Sequence, residues 1–551
     1  MAVFFLTLAA FASGLYLHNN ESSRVNQSEI FKILQLVWTL FAAYTVAYVV
    51  HRISRFLNKK PTLEQGLSRN RLEPHGSAAY ATINNLTYNG DPATGIHVGY
   101  AANRLITVHT KRFFGGTKSQ NLGGETGPVI FSKPNAHTLV CAPTRAGKTA
   151  GILIPTLLQY NHSVLAIDPK GELAAVTAEP RRKLGQNVIV LNPWGLEPVA
   201  LSGFSRHSFN PLDLIKMNDL NAVSNATLLS SLLVMPGAQQ DDFWNQSAMT
   251  LITGLILYVA ATQPPATRTL VHLRKLLTQN EADLNDLFAS MAASTAFGGG
   301  IAETGNSFLD MNEKTRSGVL STARTQTDFL RDTVIKSALE TSTFSLSDLK
   351  TGLATIYLVI PPDQLIVNGR WLRLMVGSAI KVFQSEPRSR HRCLFMLEEF
   401  PALGPMSAIE TGVAMLAGFG VDFLFAIQNL SQLQRHYREG SSTFLANCAY
   451  KFFTAINDKD TADYVSAILG NETVTVHSSS TSTGSGGSST STSSQLSGQP
   501  LASPDMLMRQ GPELGYLFRP GVKPVLIRPR HYYTDDDLKK LAAPNPFHAT
   551  S

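Results

Sequence analysis

Cysteine is scarce in this sequence, and the few that occur exclude a cysteine-based metal centre. The 551 residues contain only Cys141, Cys393 and Cys448, and none of them has the spacing of metal ligands. Cys141 and Cys393 fall in apolar, strand-like runs, which predicts buried free thiols. A reducing compartment fits this pattern.

Charged residues are also few, and neither sign dominates. They make up 16% of the chain against 44% hydrophobic residues, which suits a globular protein with some membrane-spanning sequence. The formal net charge of +7 permits contact with nucleic acid or anionic lipid but requires neither. The length allows two or three domains, and the sequence contains no internal repeat.

Two apolar runs near the N-terminus predict a membrane anchor. Ala2–Leu17 and Ile33–Val50 each approach the length that a helix needs to cross a bilayer. Basic residues cluster directly after the second run, which favours a cytoplasmic location for the rest of the chain. They are Arg52, Arg55, Lys59 and Lys60. The alternative is a signal peptide cleaved after Ala10-Phe11-Ala12, but no Lys or Arg precedes its apolar core.

The remaining sequence predicts an α/β domain that is interrupted by helices. From His137 onward, short β-branched runs alternate with helical stretches, which indicates βαβ units and a largely parallel sheet. Between about Leu212 and Leu349 the alternation stops, and the segments favour helices. The predicted strands are His137–Cys141, Ser163–Ile167, Asn187–Leu191, Thr355–Ile360, Cys393–Leu397 and Asp422–Ile427.

The segment that carries the chemistry follows the first of these strands. From Cys141 to Thr149 the sequence is CAPTRAGKT, and a loop of this kind between a strand and a helix binds phosphates through its backbone N–H groups. Lys148 would contact the β and γ phosphates of ATP, and the Thr149 hydroxyl would bind Mg²⁺. Ala142 stands where the general pattern has glycine, which is tolerable if its φ is negative. The predicted ATP-binding residues are Pro143, Thr144, Arg145, Ala146, Gly147, Lys148 and Thr149. A chance Gly-Lys-Thr on a surface helix is the alternative.

Two carboxylates end the predicted strand Cys393–Leu397. We expect Glu398 to hold the magnesium ion and Glu399 to polarise the attacking water. An acidic pair at a solvated strand end is the plain alternative. Gln428, at the end of another strand, either occupies the position of a γ-phosphate sensor or is an ordinary polar strand end. Asp168 and Lys170 either face the nucleotide or shape a turn.

These motifs, with others in the same order, resemble the TraG-like type IV secretion coupling proteins. The resemblance extends from about residue 75 to 535. The matching segments are Gly76-Ser77-Ala78, Ala142–Thr149, Ile154–Leu158, Ile167–Glu172, Phe209–Leu212, Phe243-Trp244, Glu398–Gly404, Gln428–Leu433, Leu501–Asp505 and Tyr532-Tyr533.

The resemblance implies a RecA-like P-loop ATPase that assembles as a hexamer on a secretion channel. The implied cofactors are ATP and Mg²⁺. The implied partners are further copies of the chain, inner-membrane type IV secretion components, membrane lipid, and DNA with its relaxase or protein effectors. The implied location is the bacterial inner membrane, with several spans and a cytoplasmic motor. Two departures stand out: Glu398 replaces the usual Asp, and Ala414–Gly420 lacks the Arg that some relatives use as a trans-acting finger.

Together these patterns divide the chain into five predicted regions. Residues 1–60 are a transmembrane hairpin with a short periplasmic loop, and residues 61–136 are a connector and the β-rich start of the cytoplasmic part. Residues 137–211 and 350–551 are the two parts of the nucleotide-binding domain, separated by an all-helical insertion at 212–349. Residues 478–494 are almost entirely Ser, Thr and Gly, which predicts a flexible loop.

Two other functions remain open from the sequence. One is a recruitment platform that binds ATP and hydrolyses little of it, and the other is an FtsK-like DNA translocase. Basic residues in the helical region either grip DNA or form an ordinary solvated surface. They are Arg268, Arg274, Lys275, Lys314, Arg316, Arg324 and Arg331.

Overall fold

A computed structural model describes residues 75–547 with short gaps, together with Gln35. The gaps are residues 84–85, 87–89, 103–105, 113–115, 123–125, 197–202, 205, 236–241, 386–390 and 485–486. The predicted membrane hairpin at residues 1–60 lies outside the described residues, apart from Gln35. No helix in the described part is long and apolar enough to span a bilayer. The compact unit His75–Ser551 contains everything that follows.

The unit is built on a large mixed sheet. Its strands are β1 (His97–Ala102), β4 (Thr126–Phe131), β5 (His137–Cys141), β6 (Ser163–Asp168), β7 (Asn187–Leu191), β8 (Ala354–Val359), β9 (Cys393–Leu397), β10 (Val421–Ile427), β11 (Cys448–Thr454), β14 (Gly515–Phe518) and β15 (Val525–Arg528). Among the described residues the order of these 11 strands is β4-β1-β15-β14-β11-β5-β10-β9-β6-β8-β7. Neighbours from β11 to β7 are parallel, and the remaining neighbours are antiparallel.

The parallel strands form because their sequences are apolar on both faces. Every residue of β5, β6, β8, β9 and β10 is buried, as expected for a parallel sheet with helices on both sides. The six predicted strands agree with the observed ones to within one residue at each end. Strand β11 was not predicted, because its apolar side chains alternate with partly exposed Ala449 and Lys451. Cys141 and Cys393 are buried and free, as expected, and so is Cys448.

Helices make up most of the rest of the described chain. Their bounds are Ile154–Gln159, Glu172–Lys183, Ala222–Leu233, Asp242–Thr262, Leu270–Leu277, Glu281–Ala292, Gly300–Asp310, Glu313–Gln326, Thr333–Leu339, Asp348–Thr351, Gln364–Ser385, Ser407–Met415, Leu430–Tyr437, Ser441–Asn447, Lys459–Leu469, Pro504–Arg509 and Asp536–Leu541. Between β7 and β8 the described residues contain helices and no strand. The division into domains stays a prediction.

Two hairpins stand apart from the large sheet, and one of them corrects an expectation. Strands β2 (Ile106–Arg112) and β3 (Gly116–Leu122) form the first, and β12 (Asn471–Gly484) and β13 (Gly487–Pro500) form the second. Residues 478–494 were predicted as a flexible loop, but their described part lies in this second hairpin. The antiparallel ladder continues outward from the Asn471–Pro500 pair, and β-branched threonine suits an extended backbone.

Several basic residues of the helical segment hold its helices together. Arg274 donates hydrogen bonds to the carbonyl oxygen of Arg324 and, at 2.9 Å, to the carboxylate of Asp328. Arg316 donates to the side-chain oxygen of Asn285 at 3.1 Å. These contacts favour a structural role for Arg274 and Arg316 over the grip on DNA that the sequence left open as one of two alternatives.

Arg181 is fully buried and has no acidic partner among the described residues, and carbonyl oxygens replace the usual carboxylate. Its guanidinium donates to the carbonyls of Leu157, Tyr160 and His162 at 2.7 to 2.9 Å. It also donates to the hydroxyl of Thr355 in β8. One side chain therefore joins the helix Glu172–Lys183 to the sheet and to the connection that precedes β6.

We expect Arg181→Lys to lower the thermal unfolding midpoint by several degrees. Lysine has three donors instead of five, so buried carbonyl oxygens would lose partners at a cost of about 1–3 kcal/mol each. Differential scanning fluorimetry of the full chain measures the shift. The neighbouring exposed Arg182→Lys is the control, and equal midpoints for the two variants would contradict the structural role of Arg181.

Candidate functional site

The candidate site lies where the parallel strands β5, β10, β9 and β6 end. Their register aligns these ends, with Ile427 beside Cys141 and Leu397 beside Ile167. Ligands of open α/β sheets bind at this edge, because the connecting loops open there and leave a crevice. The predicted site residues follow β5, β9 and β10, so the topology places their backbones at one edge.

The loop after β5 has the shape of a phosphate cradle. The Ala142 N–H donates to the Ile427 carbonyl at 3.0 Å, which fixes the start of the loop against β10. Arg145 and Gly147 have positive φ values of 67° and 81°. Ala142 does not have a positive φ, so alanine is tolerated where the general pattern has glycine. A π-helical turn at Thr149–Leu153 then opens the helix that continues to Gln159.

The remaining predicted loop residues differ in exposure. Thr144 and Arg145 are exposed at the tip of the loop, Pro143 is partly buried, and Ala146 is buried beneath it. The Ala146 N–H donates to the Pro143 carbonyl at 3.3 Å and closes the turn. Lys148 folds back along the loop, with its Nζ 3.5 Å from the Ala142 carbonyl oxygen.

The structure brings Thr149 and Glu398 into direct contact. The Thr149 hydroxyl donates to Oε1 of Glu398 at 2.6 Å, although the two residues come from separate parts of the chain. Burial of the carboxyl group raises the pKa of Glu398 to about 7, and the hydrogen bond from Thr149 opposes this effect. The negative charge of Asp168 on neighbouring β6 also raises this pKa. A cation at this position would relieve the repulsion between the two carboxylates.

Asp168 is occupied mainly by a structural task. Its Oδ2 accepts a hydrogen bond from the Ala174 N–H at 2.8 Å and so caps the helix Glu172–Lys183. Burial raises the pKa of Asp168 to about 6, against the effect of the backbone N–H donors. These contacts favour the turn role over the nucleotide-facing role. Lys170 is exposed.

Glu399 and Gln428 form a second pair at the same edge. The Gln428 side-chain amide donates to Oε1 of Glu399 at 3.1 Å. Glu399 has a φ of 58°, a left-handed conformation that is unusual for a residue other than glycine. Such backbone strain is typical of functional positions, where the surrounding structure compensates for it. The Gln428 N–H is held by Oε1 of Gln432 at 2.8 Å.

Two residues at the site were not singled out from the sequence. Gln432 fixes the backbone of Gln428, and its position four residues later on the following helix is a signal that could have been used. His531 lies against Gly147 of the phosphate loop, where Nε2 is 2.6 Å from the position that a Cβ atom would occupy. Sequence separation hides this contact, because nothing near His531 in the chain indicates a phosphate loop.

The donor set suits a nucleotide with a magnesium ion. A hydroxyl and a carboxylate oxygen in contact are hard ligands of the kind that Mg²⁺ prefers, and Mg²⁺ usually takes its other ligands from phosphates and water. Consistent with this, no cluster of three or more His, Cys, Asp or Glu residues in the described part forms an all-protein metal site. The site therefore has groups for both parts of the ligand. The loop backbone and the lysine suit the phosphates, and the hydroxyl and carboxylate suit the Mg²⁺ ion.

Comparison with known proteins agrees with this geometry. Residues 99–551 match the family described as type IV secretory system conjugative DNA transfer. Protein VirD4 of Rhizobium rhizogenes is 28% identical, with 86% of this chain and 67% of that protein covered. Conjugal transfer protein TraG of Agrobacterium fabrum is 30% identical, with 79% and 66% covered. This chain thus spans about two thirds of the length of these two relatives.

Solved structures share the fold. The bacterial conjugative coupling protein TrwBdeltaN70 aligns with a TM-score of 0.54 at 16% identity, covering 72% of this chain and 84% of that one. The plasmid coupling protein TrwB in complex with ADP and Mg²⁺ aligns with a TM-score of 0.55 at 15% identity, with 72% and 86% covered. The mixed α/β fold with a large, mostly parallel sheet is therefore confirmed, as is the resemblance seen in the motifs. The chain belongs to the type IV secretory system conjugative DNA transfer family.

Proposed function

We propose that this chain is a coupling ATPase, which binds ATP with Mg²⁺ and hydrolyses it to deliver macromolecules to a type IV secretion channel. The observation that supports this most directly is the arrangement at the sheet edge. Thr149 contacts Glu398, and Gln428 contacts Glu399, at 2.6 and 3.1 Å beside one phosphate loop. A protein that only bound phosphates would need the loop but not the second pair.

Each residue of the site has a distinct role in this proposal. The loop from Pro143 to Gly147 holds the phosphates with its N–H groups, and Lys148 releases the Ala142 carbonyl to contact them. Thr149 and Glu398 hold the Mg²⁺ ion, which neutralises charge on the phosphate oxygens. Glu399 accepts a proton from the attacking water.

Gln428 links the water-activating carboxylate to the neighbouring strand. Its amide donates to Glu399, so it orients the carboxylate and can report a change at the γ phosphate to the helix Leu430–Tyr437. The solved structures of TrwB with an ATP analogue, and with ADP and Mg²⁺, support the same ligands for this chain.

We also propose an oligomeric state and a membrane location for this chain. We infer a homo-oligomer, a hexamer by family resemblance, anchored in the bacterial inner membrane and its lipid by the hairpin at residues 1–60. Its motor faces the cytoplasm and contacts inner-membrane secretion components. The family description favours DNA as the cargo. By family resemblance the DNA carries its bound relaxase, and protein effectors are the second class of cargo.

We expect Glu399→Gln and Glu398→Gln to separate chemistry from binding. Glu399→Gln removes the proton acceptor and should lower kcat at least about 100-fold while leaving the Kd for ADP with Mg²⁺ unchanged. Glu398→Gln removes a metal ligand and should weaken Mg²⁺-dependent ADP binding by at least about tenfold. A coupled ATPase assay and titration with a fluorescent ADP derivative measure the two effects on the full chain in detergent.

Glu439→Gln is the matched control, since Glu439 is exposed and lies in the short 3₁₀ turn Arg438–Gly440 instead of directly after a strand. Its kcat and Kd should equal those of the wild type. If Glu399→Gln hydrolyses ATP at the wild-type rate, Glu399 is not the base. If the assembled wild type binds ADP without hydrolysing ATP, the recruitment platform replaces the motor.

We expect DNA to stimulate the ATPase if nucleic acid is the cargo. The full chain, reconstituted in lipid, would be assayed with single-stranded and with double-stranded DNA at several salt concentrations. Stimulation should fall as salt rises, because phosphate contacts release counterions. Turnover that DNA leaves unchanged at low salt would contradict DNA as the cargo and favour protein effectors.

A further inference from the structure

A segment near the C-terminus packs against the phosphate loop. We call residues 529–534, which follow β15, the strap. The ring of His531 lies where a side chain on Gly147 would be, with Nε2 2.6 Å from that Cβ position. Gly151, in the π-helical turn that follows the loop, would place a Cβ 3.6 Å from Pro529. Two glycines four residues apart thus give the strap room to approach the loop.

The ring of His531 is held in one orientation. The Tyr533 hydroxyl lies 2.7 Å from Nδ1, so the opposite ring nitrogen faces the loop. The Thr534 N–H donates to the His531 carbonyl at 2.9 Å and closes a turn around the ring. An apolar side chain would fill the same space without such a fixed direction, so these contacts favour a positioning task over simple packing.

The strap is anchored at its outer side to β1. Asp535, directly after the strap, accepts a hydrogen bond from the Tyr100 hydroxyl and lies 3.8 Å from Arg530. The Arg530 guanidinium stacks 5.6 Å from the centre of the Tyr100 ring. Because β1 belongs to the large sheet, these contacts fix the position of the strap, and with it His531, relative to the sheet.

The chain beyond the strap is fastened on the other side of the site. The Asn545 side-chain amide donates to Glu172 at 2.9 Å and to the Tyr532 hydroxyl at 3.0 Å. The Ala543 N–H donates to the Val176 carbonyl at 2.9 Å. Glu172 begins the helix that Asp168 caps, so the C-terminal chain bridges the phosphate-loop helix and the helix after β6.

We propose that His531 is a positioning residue for nucleotide binding, acting through Gly147. Gly147 has a φ of 81°, and glycine explores many conformations when nothing confines it. The oriented ring confines the loop to its phosphate-accepting form before the nucleotide arrives. Binding then costs less conformational entropy, and affinity rises without a direct contact between His531 and the phosphates. This inference rests on the proposed function.

The test compares His531→Ala with His531→Gln in the full chain. His531→Ala should raise the Kd for a fluorescent ADP derivative with Mg²⁺ by about tenfold, with kcat at saturating ATP changed by less than about twofold. Glutamine places a polar nitrogen near the position of Nε2, so His531→Gln should keep the Kd within about threefold of the wild type. Tyr533→Phe, which frees the ring, should fall between the two.

His272→Gln, in the helical segment, is the matched control and should leave the Kd unchanged. The thermal midpoint of the nucleotide-free variants is measured in parallel. The inference is overturned if His531→Ala binds ADP as the wild type does, or if the affinity of the His531 variants simply follows their thermal midpoints. Lys148→Ala separates failure of the His531 proposal from failure of the proposed ATPase function. If Lys148→Ala abolishes ADP binding while His531→Ala does not affect it, only the proposal for His531 fails. A wild type that binds no ADP overturns both.

Discussion

The burial of the parallel strands on both faces is the constraint on which the site depends. Parallel neighbours all point the same way, so β5, β10, β9 and β6 deliver their following residues to one edge. Helices cover both faces of the sheet and leave that edge as the open end. The contacts of Thr149 with Glu398 and of Gln428 with Glu399 follow from this geometry, because each joins residues after two different strands.

Charge inside such a fold must be compensated locally, and the chain uses two different solutions. Within the part of the chain that the structure describes, Arg181 and Arg373 are buried without acidic partners, and carbonyl oxygens accept their hydrogen bonds. Burial lowers the pKa of Arg373 to about 10. Burial instead raises the pKa values of Glu398 and Asp168, and the nearby charge of Lys148 offsets this effect only in part at Glu398. The protein's own carbonyl oxygens thus satisfy these two arginines, whose role is to stabilise the fold. Asp168 caps a helix, whereas the charge of Glu398 is only partly compensated by the protein, which is the condition expected at a cation site.

The sequence predicts the parts of this structure that local pattern controls. Apolar runs mark β5, β9 and β10 to within one residue, and the Gly-Lys-Thr shortly after β5 identifies the loop. Local sequence pattern does not predict the segments whose structure depends on a neighbouring strand. Strand β11 has mixed polarity and is a strand because β5 and β14 flank it. The hairpin of β12 and β13 is held by its backbone ladder, which composition does not reveal. His531 reaches the site because β15, which precedes it, lies between β14 and β1 in the sheet.

The position of the helical segment explains how a large insertion leaves the site intact. It connects β7 to β8, which are neighbours at one end of the sheet, so the strands that carry the site are not separated by it. Lengthening such a connection costs little, because closure entropy grows only with the logarithm of its length. The segment is nevertheless tied to the site. Arg373 donates to the Leu232 carbonyl at the end of one inserted helix and to the carbonyls of Leu403 and Pro405, shortly after Glu399. A change in the backbone after Glu399 is therefore transmitted to the helical segment through the buried side chain of Arg373.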